Sequence, residues 1–415
     1  MANLLLNIQC SSFAGRDAKS CVSTSSRRTD IETETNMGYN ENENYGGLKP
    51  MPQCLHCKRE SQVISGYLHL CAQCIKTDFD KLLPQIENAH ALSRKKFNLP
   101  ERIPKSPQGL PCNCCANECR MTEGEKGYCG LRSNKKGKIS APGIGNGKVS
   151  WYYDSLPTNC TGSWVCPAGT DTGYPKFSYS QGPEYGYKNL AVFYHGCNFN
   201  CLFCQNWDFR ERLSKTAGMS ASGLASAVDA KTSCICYFGG DPTPQLPHAI
   251  KVSKIALEQN KDRILRICWE TNGGMHSRLL NKILELSLQS GGCVKFDLKA
   301  WSEELHFALC GVSNRRTLDN FAFAAQWLKY RKDPPLLIAS TLLVPGYIDE
   351  NEVAGLAGFI ASLNPNIPYS LLGFYPHFFM PDMPRTSRGH AEACRQAALD
   401  AGLRKVKIGN IHLLV

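Results

Sequence analysis

Three cysteines on one short segment have the residue type and spacing for iron–sulfur chemistry. Cys197, Cys201 and Cys204 are spaced C-x3-C-x2-C directly after an apolar run. Three thiolates can hold three irons of a [4Fe–4S] cluster, and no nearby fourth cysteine completes the set. An incompletely ligated metal centre is where substrates bind and react. The alternative is a zinc loop that takes His195 as its fourth ligand, although zinc sites are usually built from paired C-x2-C knuckles.

Two C-x2-C knuckles nearer the N-terminus predict a separate metal site. They are separated by 13 residues, which is close to the spacing of a zinc ribbon, and they consist of Cys54, Cys57, Cys71 and Cys74. A tetrahedral site of four thiolates suits zinc or a rubredoxin-like iron, and zinc is the commoner structural choice. We expect this site to fold a small module or to dock a partner.

A second set of four cysteines has the pattern C-x2-C-x3-C-x9-C and consists of Cys112, Cys115, Cys119 and Cys129. A turn at residues 123–127 is expected to bring the last cysteine back toward the others. The set predicts either zinc or an auxiliary Fe–S cluster. Reduced buried cysteines are the alternative, because free cysteine is often buried in protein cores.

The elements that must position these side chains alternate regularly between strand and helix after residue 188. Apolar, β-rich runs occur at 190–195, 234–238, 264–270, 293–298, 336–344 and 369–375. Helical patterns occur at 220–230, 243–260, 277–288, 317–330, 350–363 and 389–401. About six β–α units predict a parallel sheet with crossover helices. This alternation alone does not distinguish a doubly wound sheet from a six-unit open barrel.

Short motifs stand at the ends of the strands that follow the cysteine loop: Gly239-Gly240-Asp241, Glu270-Thr271-Asn272, Asp297-Leu298-Lys299 and Leu343-Val344-Pro345-Gly346. In this order, and after a C-x3-C-x2-C loop, they resemble the radical S-adenosylmethionine (SAM) superfamily. That end of a parallel barrel is where active sites lie. The resemblance covers residues 110–415, and it is best to the pyruvate formate-lyase activating enzyme group, within it to the AmmeMemoRadiSam-type radical SAM proteins.

The resemblance implies a fold, a cofactor set and site residues. The fold is an α/β partial (β/α)6 barrel that carries a [4Fe–4S] cluster on the cysteine loop. The glycine motif would hold the amino group of SAM, with Asp241 where the family has glutamate. Glu270 and Asn272 would reach its carboxylate and ribose, and Asp297 and Lys299 match the D-x-K of glycyl-radical activating enzymes. Phe203 would pack beside the adenine, with a core aromatic as the alternative.

Composition and length set the outer limits of the interpretation. The chain has 415 residues, 22 cysteines and a net charge of +11. We expect a disordered tail at 1–50, a zinc-ribbon-like module at 51–80, a linker helix and second cysteine-rich region at 81–187, and the barrel at 188–415. No apolar run reaches the roughly 18 residues that a membrane span needs. Clustered cysteines without a secretion signal predict a reducing, cytoplasmic location.

Three function classes follow from these features. The first is a radical SAM enzyme that abstracts hydrogen from a protein or peptide, in the manner of a glycyl-radical activase, supplied with electrons by a flavodoxin- or ferredoxin-like donor. The second is a radical SAM enzyme that modifies RNA or a small metabolite. The third is a non-enzymatic Fe–S and zinc electron-transfer module. No RNA-recognition stretch accompanies the basic charge, so a protein substrate is favoured. His195 and Cys310 are candidate catalytic side chains beside the cluster.

Overall fold

One large sheet flanked by helices organises the chain in the computed structural model, which describes residues 51–141 and 145–415. The predicted tail, 1–50, lies outside the described residues. The strands are β1 (Leu110–Pro111), β2 (Arg120–Met121), β3 (Ser133–Lys135), β4 (Lys138–Ser140), β5 (Asn146–Ser155), β6 (Lys188–Tyr194), β7 (Gly218–Ser220), β8 (Thr232–Gly239), β9 (Arg266–Thr271), β10 (Val294–Asp297), β11 (Leu337–Leu343), β12 (Tyr369–Gly373) and β13 (Val406–Gly409).

The helices lie between and before these strands. They are α1 (Ala72–Thr77), α2 (Phe79–Lys95), α3 (Phe209–Lys215), α4 (Ala221–Ala225), α5 (Leu246–Gln259), α6 (Ser277–Ser290), α7 (Glu303–Cys310), α8 (Arg315–Ala325), α9 (Glu350–Leu363) and α10 (Arg388–Asp400). Short 3-10 helices cover Thr243–Gln245, Gln326–Tyr330 and Ile411–Leu413. None of the helices in the described ranges combines the length and the apolar composition that crossing a bilayer requires.

The order of the strands decides between the two predicted topologies. The large sheet runs β13-β12-β11-β10-β9-β8-β6-β5-β7. From β6 through β8 to β13 every neighbouring pair is parallel, and the strands follow one another in chain order. A doubly wound sheet would reverse its order at a switch point. The predicted α/β class is therefore confirmed, and the uninterrupted order is that of a barrel, left open because β7 and β13 are the two ends of the sheet.

Helices cover the outside of this sheet through apolar stripes. In α6 the buried positions Leu280, Ile283, Leu284 and Ser287 recur at helical spacing and face the sheet. His276 caps the start of this helix by accepting the Arg278 N–H, and Gly291 ends it in the left-handed conformation. Strand β11 is buried along its whole length, as expected for a parallel strand covered on both faces.

The N-terminal end of the barrel is closed by the segment 156–187. Glu184 and Arg266 form an ion pair there, with 2.5 Å between Oε2 and Nη2, and both side chains are almost completely buried. Burial raises the pKa of Glu184, but the hydrogen bonds and charge of Arg266 outweigh this effect, and the pKa lies below its usual value. Farther in, Trp164 donates to the Ser370 hydroxyl on β12. With this end filled, we expect a ligand to bind at the C-terminal ends of the strands.

The first cysteine module, residues 51–80, packs against the barrel near the C-terminal ends of the strands, which we call the mouth of the barrel. The Tyr347 hydroxyl, which follows β11, accepts from Ser65 N and donates to Leu70 O. Lys76 on α1 forms an ion pair with Glu352 on α9 at 2.9 Å. Such contacts make the described residues one compact unit. The domain limits at 80 and 187 stay predictions.

Several element limits differ from the sequence expectations for local reasons. The helix expected at 243–260 begins with a 3-10 turn, because Pro244 and Pro247 lack the N–H that an α-helix interior needs. The helix expected at 220–230 ends at Ala225, because Asp229 accepts hydrogen bonds from Lys231 N and the Thr232 hydroxyl and starts the turn into β8. Helix α7 and strand β13 were not predicted, since both are short.

Candidate active site

The cysteine loop between β6 and α3 is held by backbone hydrogen bonds from two directions. Asn200 N donates to Cys310 O at 2.8 Å and Leu202 N to Leu309 O at 2.9 Å, which ties the loop to the end of α7. From the other side, the Asn117 side chain donates to Asn198 O at 2.7 Å. These contacts fix the backbone that carries the three thiols.

Helix α2 also braces this loop. The Asn200 side-chain amide donates to His90 Nδ1 at 2.9 Å and to the Ser93 hydroxyl at 2.8 Å. The other ring nitrogen of His90 faces Ala308 O at 3.1 Å, which assigns the proton to Nε2. Burial lowers the pKa of His90 to about 4, so the ring is neutral at neutral pH. This contact between distant segments was not predicted, because no local pattern indicates it.

Asp241 joins the ends of two neighbouring strands. Its buried carboxylate accepts from Thr243 N at 2.8 Å, from the Thr271 hydroxyl at 3.1 Å and from Asn272 N at 2.7 Å. Burial raises the pKa of this carboxyl. Because these donors occupy both oxygens, the side chain acts as an internal link between the loops after β8 and β9.

Two glycines before Asp241 let the backbone pass close to the cysteine loop. Gly239 has φ +114°, and a Cβ there would lie 2.6 Å from Tyr194 N. A Cβ on Gly240 would lie 2.5 Å from Gly196 O. Both positions therefore require glycine, because the loop after β8 packs directly against β6 and the start of the cysteine loop.

Asn272 links the Asp241 anchor to the cysteine loop. Its side-chain amide donates to Asn198 Oδ1 at 2.9 Å and to Cys197 Sγ at 3.7 Å. Its backbone carbonyl accepts from the Thr317 hydroxyl at 2.8 Å. Motifs that lie far apart in the sequence thus meet at one place through Asn272.

The D-x-K motif lies on the other side of the loop. Asp297 and Lys299 form an ion pair, and the Lys299 ammonium lies 5.7 Å from the centroid of the Phe203 ring. Burial lowers the pKa of Lys299, but the Asp297 charge outweighs it and raises the pKa. The buried Oδ1 of Asp297 has no hydrogen-bond partner among the described residues, so it can accept from a ligand. Phe203 is 3% exposed and belongs to the core.

Glu270 does not join the Asp241 and Asn272 group. Its carboxylate points into the barrel, where it lies 2.8 Å from Lys295 Nζ and accepts from Cys160 Sγ at 3.3 Å. Burial raises the pKa of Glu270, but Lys295 outweighs this effect and the pKa is lowered. Lys295, within the apolar run of β10, was not predicted as part of the site.

His195 and Cys310 are both fully buried, but they differ in what they contact. His195 Nε2 lies 2.8 Å from the Ser150 hydroxyl. Burial, with the nearby charges of Arg212 and Lys148, lowers the pKa of His195 to about 4. Burial, together with the neighbouring Cys201 thiol, raises the pKa of Cys310 well above its usual value. The assignment of either as a catalytic residue stays a prediction.

Arg210 provides the clearest test of whether an anionic cluster fits here. This α3 side chain is 3% exposed, and its Nε and Nη1 have no hydrogen-bond partner in the described part of the chain. Burial raises the pKa of the Cys204 thiol, and the Arg210 charge opposes that shift. A buried guanidinium without a counter-charge is costly. A cluster on the three thiolates would supply the missing negative charge, so the residues present fit a [4Fe–4S] cluster.

The first cysteine set is gathered at zinc-like spacing. The sulfurs of Cys54, Cys57, Cys71 and Cys74 all lie within 4.8 Å of one another. Cys57 Sγ and Cys71 Sγ are 3.8 Å apart. Zn–S bonds of about 2.3 Å in a tetrahedron place sulfurs about 3.8 Å apart. The set can therefore hold one metal ion, and zinc stays the predicted one.

The second cysteine set lies against the loops of the site. Ala116 N donates to Gly274 O at 2.8 Å, and the Cys114 thiol donates to Thr243 O at 3.4 Å. Cys112, Cys115, Cys119 and Cys129 do not form a group at zinc-like spacing: among the described residues only the first set has three or more ligand atoms within 4.8 Å of one another. A metal at the second cysteine set therefore stays a prediction.

The comparisons with known proteins agree with this geometry. Residues 191–352 match the family model described as the radical SAM superfamily. They form a radical SAM domain. The matched range contains the cysteine loop, the glycine motif, Asn272 and the D-x-K motif. A SAM molecule and a [4Fe–4S] cluster are the cofactors that this family implies, and the chain is an enzyme of this type.

Individual relatives and solved structures are similar to this chain at low sequence identity. An uncharacterized protein of Methanocaldococcus jannaschii is 24% identical over 309 residues, which cover 72% of this chain and 81% of that protein. The pyruvate formate-lyase 1-activating enzyme of Escherichia coli strain K12 is 27% identical over 180 residues, 41% of this chain and 66% of that enzyme. A crystallised domain of the pyruvate-formate lyase-activating enzyme from Bacteroides vulgatus aligns with 22% identity and a TM-score of 0.35, over 42% of this chain and 98% of the domain.

Proposed function

We propose that this radical SAM domain cleaves SAM reductively at a [4Fe–4S] cluster held by Cys197, Cys201 and Cys204, and that it abstracts hydrogen from a protein or peptide. One observation carries the proposal. Asn272 donates to the cysteine loop from its side-chain amide and to the Asp241 carboxylate from its backbone N–H. It thereby brings the motif of the third parallel strand to the cluster thiols.

The residues of the site have separate roles in this proposal. The backbone carbonyls of the Gly239-Gly240 motif would accept from the amino group of SAM, and Asp241 holds their loop in place. The unpartnered oxygen of Asp297 is available to a ligand hydroxyl. Lys299 balances the charge of Asp297 beside Phe203. When bound and reduced, the cluster and SAM together supply a 5′-deoxyadenosyl radical and methionine.

Because the N-terminal end of the barrel is filled, a substrate would enter from the opposite end, the mouth. The Glu184–Arg266 ion pair and the Trp164 contact to Ser370 fill the N-terminal end. Deeper in the barrel, Lys295 and Glu270 are paired with each other. A protruding peptide segment reaches a site at the mouth more readily than a buried one. An activating enzyme among the relatives acts on another enzyme by its name, which favours a protein substrate.

The proposal is tested by following hydrogen from the substrate into 5′-deoxyadenosine. Anaerobically reconstituted protein is reduced and supplied with SAM. Protein, RNA and small-molecule fractions are prepared from cells of the source organism grown in deuterated medium, and each fraction is added in a separate reaction. We expect the protein fraction to increase turnover and to give deuterated 5′-deoxyadenosine. Deuterium transfer from the RNA or small-molecule fraction alone would contradict the proposed substrate class. The Cys204→Ala variant serves as the inactive control.

A further inference from the structure

A buried arginine, Arg132, lies beside the second cysteine set. Gly127 N donates to Arg132 O and Gly130 N to Gly127 O, each at 2.8 Å, so a tight turn carries Cys129 back toward the other cysteines. On the opposite side, Cys112 N donates to Cys119 O at 2.8 Å. Three of the four cysteines, Cys112, Cys115 and Cys129, come close enough to interact with the Arg132 side chain.

Arg132 lacks the partners that a buried cation needs. Its side chain is 7% exposed. Nη2 donates to Pro244 O at 3.1 Å, whereas Nε has no hydrogen-bond partner among the described residues. The guanidinium interacts electrostatically with Cys114 most strongly, and then with Cys112, Cys129 and Cys115. A buried positive charge without a full set of partners destabilises the folded state unless a negative group lies beside it.

Neutral thiols do not supply such a group, but metal-bound thiolates do. Four cysteine thiolates around either a zinc ion or a [4Fe–4S] core leave about two negative charges on the complex. Arg132 is placed to donate to these sulfurs, as buried donors commonly do around iron–sulfur centres. The guanidinium, whose Nε has no hydrogen-bond partner among the described residues, therefore indicates a bound metal centre, whichever metal it is.

Sulfur spacing distinguishes the two metals, because the chain contains its own reference sites. The first set has the 4.8 Å grouping that one zinc ion requires. The second set lacks that grouping, and so do Cys197, Cys201 and Cys204. A cubane separates its ligand sulfurs by the body of the cluster, so its cysteines lie farther apart than those of a mononuclear site. Neither of these two sets therefore has the spacing of a mononuclear zinc site, which argues against zinc in the second set.

We propose that Cys112, Cys115, Cys119 and Cys129 hold a second [4Fe–4S] cluster, with Arg132 as a buried donor to it. Cys114 is not a ligand, because its thiol donates to Thr243 O. With four cysteine ligands this cluster has no open iron and does not bind SAM. It lies beside the first cluster, since the Asn117 side chain reaches Asn198 of the cysteine loop. The inference holds for any substrate of the enzyme.

The test is a metal count on the full-length chain, reconstituted anaerobically with iron and sulfide. We expect about eight irons and eight sulfides per wild-type chain, and about one zinc. A variant that combines Cys197→Ala, Cys201→Ala and Cys204→Ala should keep about four irons, and its reduced electron paramagnetic resonance signal should not change when SAM is added. Cys112→Ser or Cys129→Ser should lose about four irons while the first cluster still responds to SAM.

The zinc in the first site serves as an internal control for folding. Any variant that retains about one zinc per chain is folded around that site, so its iron content can be interpreted. Two zincs with about four irons in the wild-type chain would overturn the proposal, as would one iron without sulfide at the second set. An iron-free triple variant that retains its zinc would overturn it as well. None of these outcomes depends on which substrate stimulates SAM cleavage. The metal counts therefore test the second cluster separately from the proposed function.

Discussion

Asn272 donates a hydrogen bond from its side-chain amide to the sulfur of Cys197, 75 positions away in the sequence, at 3.7 Å. The same side chain donates to Asn198, and its backbone is fixed by Asp241 and Thr317. A donor to a ligand sulfur orients that ligand and stabilises its ionised form. Asn272 therefore connects the loops at the ends of β8 and β9 to the cysteine loop.

Replacing Asn272 should weaken the cluster without unfolding the chain. For Asn272→Ala we expect SAM-cleavage activity or cluster affinity to fall by about 10- to 100-fold, the usual range for groups that support metal ligands. Iron content and 5′-deoxyadenosine formation measure these two effects. Asn366→Ala, on an exposed turn after α9, is the matched control. Wild-type values of both quantities in Asn272→Ala would contradict the role.

Arg210 should set the reduction potential of the first cluster. Removing a buried positive charge beside an anionic cluster disfavours adding an electron, so Arg210→Gln is expected to shift the midpoint potential to a more negative value. A redox titration followed by electron paramagnetic resonance measures the shift. Arg212→Gln is the control, because Arg212 lies on the same helix but is 48% exposed and pairs with Asp208. An equal shift in both variants would contradict a specific effect.

The first cysteine set should bind zinc and stabilise the module against the barrel. Cys57→Ser is expected to lose about one zinc per chain and to lower the melting temperature, since a structural zinc contributes directly to folding. Leu55→Ser, at a half-exposed position in the same knuckle, should keep its zinc. Metal analysis and thermal denaturation test this. Full zinc in Cys57→Ser would contradict the ligand assignment.

The Glu184–Arg266 pair should make stability depend on pH in the acidic range. Glu184 has a lowered pKa in the folded chain, so its contribution is present above the pKa of the unfolded state and is lost as the pH falls through the folded value. At pH 7 we expect Glu184→Gln to cost about 3–5 kcal/mol, the usual effect of breaking a buried pair. Urea unfolding should show this difference shrinking toward pH 3. A difference that does not change with pH would contradict the ionic contribution.

The sequence predicts the scaffold better than the contacts within the site. The alternation after residue 188 predicts the β–α units, and the strand-end motifs predict which loops face the mouth. Lys295 and Arg210 were missed because a lone charged residue in an apolar run or on a short helix has no periodic signal. The Asn200–His90 contact was missed because local patterns do not show which distant segments pack together. Glu270 turns inward because residues alternate between the two faces of a strand, whereas Thr271 and Asn272 lie where β9 ends.

Formation of 5′-deoxyadenosine by single cysteine variants tests the central claim most directly. Reduced, reconstituted protein is incubated with SAM, and 5′-deoxyadenosine is quantified by mass spectrometry for the wild type and for Cys197→Ala, Cys201→Ala and Cys204→Ala. Cys394→Ala, a buried cysteine on α10, is the matched control. The account predicts product from the wild type and Cys394→Ala and none from the three loop variants. Wild-type amounts of product from any one of the three loop variants would contradict it.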